Sequence, residues 1–103
     1  SESSVQNMLK LYLLGAHQEV LSEVHEAKGR ADLVVNTDNK RIVFEFKYAK
    51  NETEAKTKLS EAVEQIKTRD YGNILPKKAE LIRIAAVFNA DPKVRAFTEY
   101  QEV

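Results

Sequence analysis

Three charged residues, Asp32, Glu45 and Lys47, interrupt two apolar segments near the middle of the chain. A strand that only fills a core can carry valine or threonine at such positions. Carboxylate oxygens are the ligands that divalent cations such as Mg²⁺ prefer, and a lysine beside them can offset negative charge. The residue types therefore predict a metal site with an adjacent electrostatic clamp, provided that the fold brings the three side chains together.

The turn between the two segments decides whether the three side chains meet. With Asp38-Asn39 as a two-residue hairpin loop, the numbers of paired residues sum to 77, which places Asp32 directly opposite Glu45. Opposite side chains share a face and lie about 4.5–5.5 Å apart at Cβ. Lys47 shares that face because side chains alternate along a strand. Two carboxylates placed in this way repel each other, so the pair predicts a positive charge between them.

A turn upstream predicts the position of a third acid in the same way. If residues 26–29 form the preceding turn, paired numbers sum to 55 and Glu23 falls opposite Asp32. His25 shares the face of Glu23 by alternation, with an exposed histidine near a turn as the alternative. A plainer interpretation of the patch stays open: acids on a half-exposed sheet face are often only solvated, and a surface Glu–Lys pair contributes less than ~1 kcal/mol. The apolar strand around the charges and the long helix predicted after it favour a site.

The hydrophobic pattern predicts an α/β domain in the order α-β-β-β-α-β, with one further strand at the end. Helical spacing covers 4–16 and 52–70, and Gly72 and Pro76 are expected to end the second helix. The predicted strands are 19–25, 31–36, 41–48, 81–88 and, more weakly, 94–100. The core face of the hairpin is expected to hold Ala31, Leu33, Val35, Ile42, Phe44 and Phe46. This leaves Val34 and Val43 beside the charges.

Length and composition limit the class of protein. A chain of 103 residues predicts a single domain over 1–103, possessing one modest core. Lys plus Arg equals Asp plus Glu at 16 each, so a nucleic-acid-binding protein with this balance must concentrate its basic residues on one face. The absence of cysteine excludes disulfides and thiolate metal sites. No signal-like start and no apolar run of about 20 residues is present. We therefore expect a soluble cytoplasmic domain and, since the chain opens on SESS without Met, one cut from a longer protein.

Three stretches together resemble the PD-(D/E)xK nuclease superfamily: SEVHEAKGRADLVV, VFEFKYAK and EAVEQIKTRDYGN. More narrowly, they are similar to the nuclease-like domain found behind an AAA-ATPase-like domain in many bacterial proteins. The resemblance covers roughly 19–88, and the superfamily's proline before the aspartate is Ala31 here. It implies a restriction-endonuclease-like core, with a mixed central sheet flanked by helices. The implied activity is metal-dependent hydrolysis of nucleic-acid phosphodiester bonds, with a non-catalytic binding or regulatory module as the alternative.

The resemblance also implies a role for each residue of the patch. Asp32 and Glu45 would ligate Mg²⁺ or Mn²⁺, with the Phe46 carbonyl as a further ligand. Lys47 would orient or activate the attacking water, and Glu23 would be an additional acid at the metal. The implied substrate is nucleic acid, and DNA in the first instance. Further implied partners are an ATPase domain of the parent chain and a second copy of this domain. No membrane is expected as a partner. Basic residues of the long helix that could contact a nucleic-acid backbone are Lys56, Lys58, Lys67 and Arg69.

Gln65 is the remaining residue that the resemblance places at the site. It lies three residues after Ala62, at the edge of the apolar stripe of the long helix. We expect it to be largely buried and within one water-mediated step of Glu45 or Lys47, because an amide supports a crowded acidic site without adding charge. The alternative is a solvent-facing glutamine on a charged helix. Tyr71 is expected to pack behind the helix rather than to act chemically.

Overall fold

The computed structural model describes residues 19–22, 25–26 and 29–103, and the side chains from residue 31 onward. The strands are β1 (Glu19–Ser22), β2 (His25–Glu26), β3 (Gly29–Arg30), β4 (Leu33–Asn36), β5 (Lys40–Ala49), β6 (Glu80–Asn89) and β7 (Ala96–Glu102). One helix, α1 (Glu52–Arg69), lies between β5 and β6. The helix predicted over 4–16 lies outside the described residues.

The described strands form a five-stranded sheet in the order β1-β4-β5-β6-β7 and a separate two-stranded ribbon of β2 and β3. The β5–β6 pair is parallel, and the other pairs of the larger sheet are antiparallel. A parallel pair requires a crossover connection, which α1 supplies. The mixed sheet with its crossover helix confirms the predicted restriction-endonuclease-like α/β fold.

The hairpin of β4 and β5 has the predicted register. The Thr37 N–H donates to the Lys40 carbonyl at 2.9 Å, and the Lys40 N–H donates to Thr37 Oγ1 at 3.0 Å. These two bonds close a tight turn at 37–40. Along the strands that follow from it, Leu33 pairs with Phe44, so the numbers of paired residues sum to 77. The preceding connection also has its predicted register, because the pairs of β2 with β3 and of β1 with β4 sum to 55.

Helix α1 begins and ends with local capping interactions. The Asn51 side chain accepts a hydrogen bond from the Glu54 N–H at 2.8 Å, which satisfies one of the donors that a helix start leaves open. At the other end Asp70 adopts a left-handed conformation, with φ of 50°. The Tyr71 N–H then bonds back to the Ile66 carbonyl at 3.3 Å, and the Asp70 N–H to the Lys67 carbonyl at 3.3 Å, which is a Schellman motif. The helix therefore ends at Arg69, with Asp70 as its cap, before the predicted stops at 72 and 76.

Both faces of the sheet carry apolar clusters. On the helix face, Ala62 and Ile66 of α1 pack with Val34, Val43 and Ala85 of the sheet. The opposite face is formed by Leu33, Val35, Phe46 and Ala86, with Ile42, Phe44 and Phe97 packed against them. Val34 and Val43, which stood beside the charges in the predicted pattern, are thus fully buried core residues.

The predicted face of Ala31 is wrong. Ala31 is buried with Val34 and Val43 on the helix face, not with Leu33 on the other. Asp32 forms a bend between β3 and β4, and the alternation of side chains holds only within a continuous strand. The bend therefore changes the face of the residue before it.

No helix in the described ranges is both long enough and apolar enough to cross a membrane.

Candidate active site

Asp32 is fixed by the backbone of β5, the strand that carries Glu45. Its N–H donates to the Phe44 carbonyl at 3.2 Å. Its Oδ2 accepts a hydrogen bond from the Phe46 N–H at 2.9 Å. Because these contacts are made on either side of Glu45 along β5, the carboxylate of Asp32 is held beside that of Glu45, as the hairpin register predicts.

Glu45 is a buried acid whose charge is incompletely compensated. Its side chain is 4% exposed, and Oε2 lies 3.5 Å from Lys47 Nζ. The other oxygen, Oε1, is buried and has no hydrogen-bond partner among the described residues. Burial, followed by the neighbouring Asp32 carboxylate, raises the pKa of Glu45 from 4.5 to about 7, although Lys47 acts in the opposite direction. A buried polar atom without a partner is unfavourable, so this oxygen is suited to a ligand.

Lys47 is held on two sides. Its ammonium group makes the ion pair with Glu45 and donates to Gln65 Oε1 at 2.9 Å. The expected proximity of Gln65 to Lys47 is confirmed, and the contact is direct. Gln65 is half-buried and not exposed on the outer face of the helix. It lies at the edge of the stripe by which α1 packs on the sheet, where one side of a helix residue stays open.

Tyr71, which was expected only to pack behind the helix, also belongs to this network. Its ring is fully buried, and its hydroxyl oxygen accepts hydrogen bonds from Gln65 Nε2 at 2.9 Å and from Arg69 Nη1 at 3.4 Å. Burial raises the pKa of the Tyr71 phenol, which therefore stays neutral. The signal that could have identified it is Asp70, a residue type that tolerates the left-handed conformation and so turns the following side chain back over the helix.

The described acids fit a hard divalent cation. From residue 31 onward no group of three acids or histidines could hold a metal, so the described donors are the two carboxylates of Asp32 and Glu45. Mg²⁺ is usually held by one or two carboxylates together with water. The Glu45 oxygen that lacks a hydrogen-bond partner within the described part of the chain is a donor of the required type. Glu23, the third predicted acid, lies outside the described residues.

Two of the four named basic residues of α1 are paired with acids in the described part of the chain. Lys56 lies 3.9 Å from Glu99, and Lys58 lies 3.4 Å from Glu61. An open groove of about 550 Å³ runs along α1 past Gln65. Its lining residues are Ser60, Glu61, Glu64, Gln65, Thr68 and Arg69. Contact between this helix and a nucleic-acid backbone stays a prediction.

The sequence of the chain matches the model of a known protein family. The family model of the PD-(D/E)XK nuclease superfamily matches residues 1–98. No curated protein and no solved structure matched the chain. The match spans nearly all of the 103 residues and includes the Asp32 bend, the Glu45-Phe46-Lys47 strand and α1. The chain therefore belongs to the PD-(D/E)XK nuclease superfamily.

Proposed function

We propose that this domain is a divalent-metal-dependent nuclease that hydrolyses phosphodiester bonds of nucleic acid. The observation that carries the proposal is the Glu45 carboxylate, which is buried beside Asp32 with one oxygen lacking a hydrogen-bond partner among the described residues. A residue that served only the core would be apolar here, and one that served only solubility would be exposed. Lys47 adjoins the same carboxylate, so the two acids and the lysine of the superfamily motif share one patch.

Each residue of the patch has a proposed role. Asp32 and Glu45 bind Mg²⁺ or Mn²⁺, with the Phe46 carbonyl as a further oxygen donor and Glu23 as an additional acid. The bound cation polarises the phosphodiester and the attacking water. An ammonium group has three N–H bonds, of which Glu45 and Gln65 take at most two. The remaining N–H of Lys47 is directed to a water or phosphate oxygen, where its charge stabilises the developing negative charge.

DNA is the substrate to test first, and residues 1–103 act as one nuclease domain. In this proposal the domain is bacterial and cytoplasmic, works with an ATPase domain of its parent chain and pairs with a second copy of itself.

The test is a cleavage assay with a matched pair of variants. The protein is incubated with single- and double-stranded DNA and RNA in Mg²⁺, in Mn²⁺ and in EDTA. We expect cleavage only with metal, and a loss of at least about 100-fold in Lys47→Met, whose aliphatic stem preserves packing. Lys40→Met is the control, since Lys40 lies on the same strand in an exposed ion pair with Glu80 at 3.8 Å.

Two results would overturn the proposal. One is metal-dependent binding of nucleic acid without cleavage of any of the four substrates, which would favour a binding or regulatory module. The other is cleavage that persists in a folded Lys47→Met protein.

A further inference from the structure

A chain of hydrogen bonds extends from the candidate active site to the end of α1. It begins at Lys47, passes through both ends of the Gln65 amide and reaches the Tyr71 hydroxyl, where Arg69 joins it. Tyr71 is the fully buried member, whereas Arg69 is exposed and Gln65 borders the groove along α1. A side chain beside a groove can turn into solvent unless it is held at more than one point, so the second contact of Gln65 requires an explanation.

The donors and acceptors of this chain allow one orientation of the amide. Lys47 can only donate, so the end of Gln65 that faces it must be the carbonyl oxygen. The Nε2 end then faces Tyr71, whose oxygen must accept. Arg69 can also only donate, and it donates to the same oxygen. The cation at Arg69 therefore favours Tyr71 as an acceptor, and Tyr71 in turn favours the Gln65 orientation that presents oxygen to Lys47.

The end of the helix fixes Tyr71 in this position. The Schellman motif binds the Tyr71 N–H to the Ile66 carbonyl, and the Tyr71 ring packs in the same buried cluster as Ile66. The contact between these two positions is the one that usually accompanies the motif. Tyr71 is consequently a rigid acceptor, positioned by the backbone of the helix whose Gln65 it contacts.

We propose that Tyr71 and Arg69 are positioning residues that fix the Gln65 amide and, through it, the ammonium group of Lys47. The catalytic part of this inference rests on the proposed nuclease function. Without the Tyr71 oxygen, the contact with Lys47 is the remaining side-chain hydrogen bond of Gln65 within the described part of the chain, and Gln65 can turn toward the groove. Lys47 then keeps its ion pair with Glu45 but loses the neutral acceptor that fixes its direction.

The first test is a double-mutant cycle in a single-turnover cleavage assay. Tyr71→Phe keeps the buried ring and should lower the cleavage rate constant about tenfold. The affinity for uncleaved substrate, measured with Ca²⁺ in place of Mg²⁺, should not change. In a Gln65→Ala background the same change should have less than about a twofold effect, because Tyr71 acts through Gln65. Equal effects in the two backgrounds would overturn the proposal. Tyr100→Phe is the control, since Tyr100 is 76% exposed.

Arg69 provides a variant that does not disturb the core. Arg69→Met should lower the rate constant about threefold, in keeping with its longer bond, and Arg69→Lys should restore at least half of the loss by again supplying a donor. The control is Lys93→Met, another exposed cation. A rate unchanged in Arg69→Met would remove Arg69 from the proposal.

The second test does not depend on activity. The side-chain amide protons of Gln65 are observed by NMR in the metal-free protein, where Tyr71→Phe should shift them and speed their exchange with solvent, while Tyr100→Phe should not. Unchanged Gln65 resonances in Tyr71→Phe would overturn the positioning role. An unaltered protein that cleaves no substrate would refute the proposed function, and the NMR result would then decide the positioning by itself.

Discussion

Replacing Glu45 by Gln should make the metal-free protein more stable above pH 7 and change its stability little near pH 5. Glutamine has nearly the shape of glutamic acid and carries no charge, so it removes the repulsion by Asp32 and the burial of a carboxylate. These are the two main causes of the raised pKa of Glu45. The variant also keeps an oxygen that can accept from Lys47.

The size and sign of the effect follow from that pKa. In the unfolded chain the carboxyl group titrates near 4.5, and in the folded protein near 7. Below pH 4.5 both states are protonated and the stabilising contribution of the neutral acid is fully present. As the pH rises through 7, the native protein loses a proton that the unfolded chain has already lost, and the contribution disappears. From this group alone the free energy of unfolding should fall by about 1.4 kcal/mol per pH unit from pH 5 to the folded pKa near 7 and then level off, a total loss of about 2–3 kcal/mol by pH 8.

The assay is urea unfolding of both proteins at several pH values, without metal and with EDTA. The free energy of unfolding of Glu45→Gln minus that of the unaltered protein should increase by about 2–3 kcal/mol from pH 5 to pH 8. Glu102→Gln, at an exposed position of β7, should differ from the unaltered protein by less than ~0.5 kcal/mol at either pH. A difference for Glu45→Gln that does not change with pH would refute the account of Glu45 as a strained buried acid.

Three other substitutions test the site and its support. Asp32→Asn should leave the metal-free protein as stable or more stable, because an amide oxygen can still accept from the Phe46 N–H. It should also lose the rise in melting temperature that Mg²⁺ or Mn²⁺ gives the unaltered protein, and an unchanged rise would place the metal elsewhere. Arg41→Met should lower the free energy of unfolding by about 3 kcal/mol in urea titrations, since the buried guanidinium donates to four oxygens; a loss below about 0.5 kcal/mol would contradict this. Gly72→Ala should destabilise by at least about 1 kcal/mol in the same assay, because Gly72 has a φ of 88° and a Cβ there would lie 2.9 Å from Val43 Cγ2. Full stability of that variant would contradict the close packing.

The hairpin could be predicted from the sequence because its register depends on local chemistry. The turn at 37–40 fixes which residues pair, and every pair up to Leu33 with Phe44 follows from it. The prediction that Asp32 lies beside Glu45 and Lys47 depended on this register alone. The amphipathic stripe of α1 located Gln65 only at its edge, and the resemblance to the nuclease superfamily was needed to predict its position near Lys47.

The remaining features depend on contacts between distant parts of the chain. Both sheet faces are apolar, so the hydrophobic pattern alone did not determine which face α1 covers. Arg41, at the start of a predicted strand, is an unremarkable charge in the sequence; it is buried because the carbonyls of the loop at 72–76 surround it. Tyr71 reaches Gln65 only through the left-handed turn at Asp70, which the predicted stops at 72 and 76 did not include.

In the proposed function, Asp32 and Glu45 hold one divalent cation beside Lys47. The most direct measurement is a crystal soaked in Mn²⁺, with the ion located by its anomalous scattering. We predict a peak within roughly 2.0–2.6 Å of an oxygen of each carboxylate, including the Glu45 oxygen that has no partner among the described residues. A Mn²⁺ ion bound elsewhere, or no ion between the two ordered carboxylates at saturating Mn²⁺, would contradict the account.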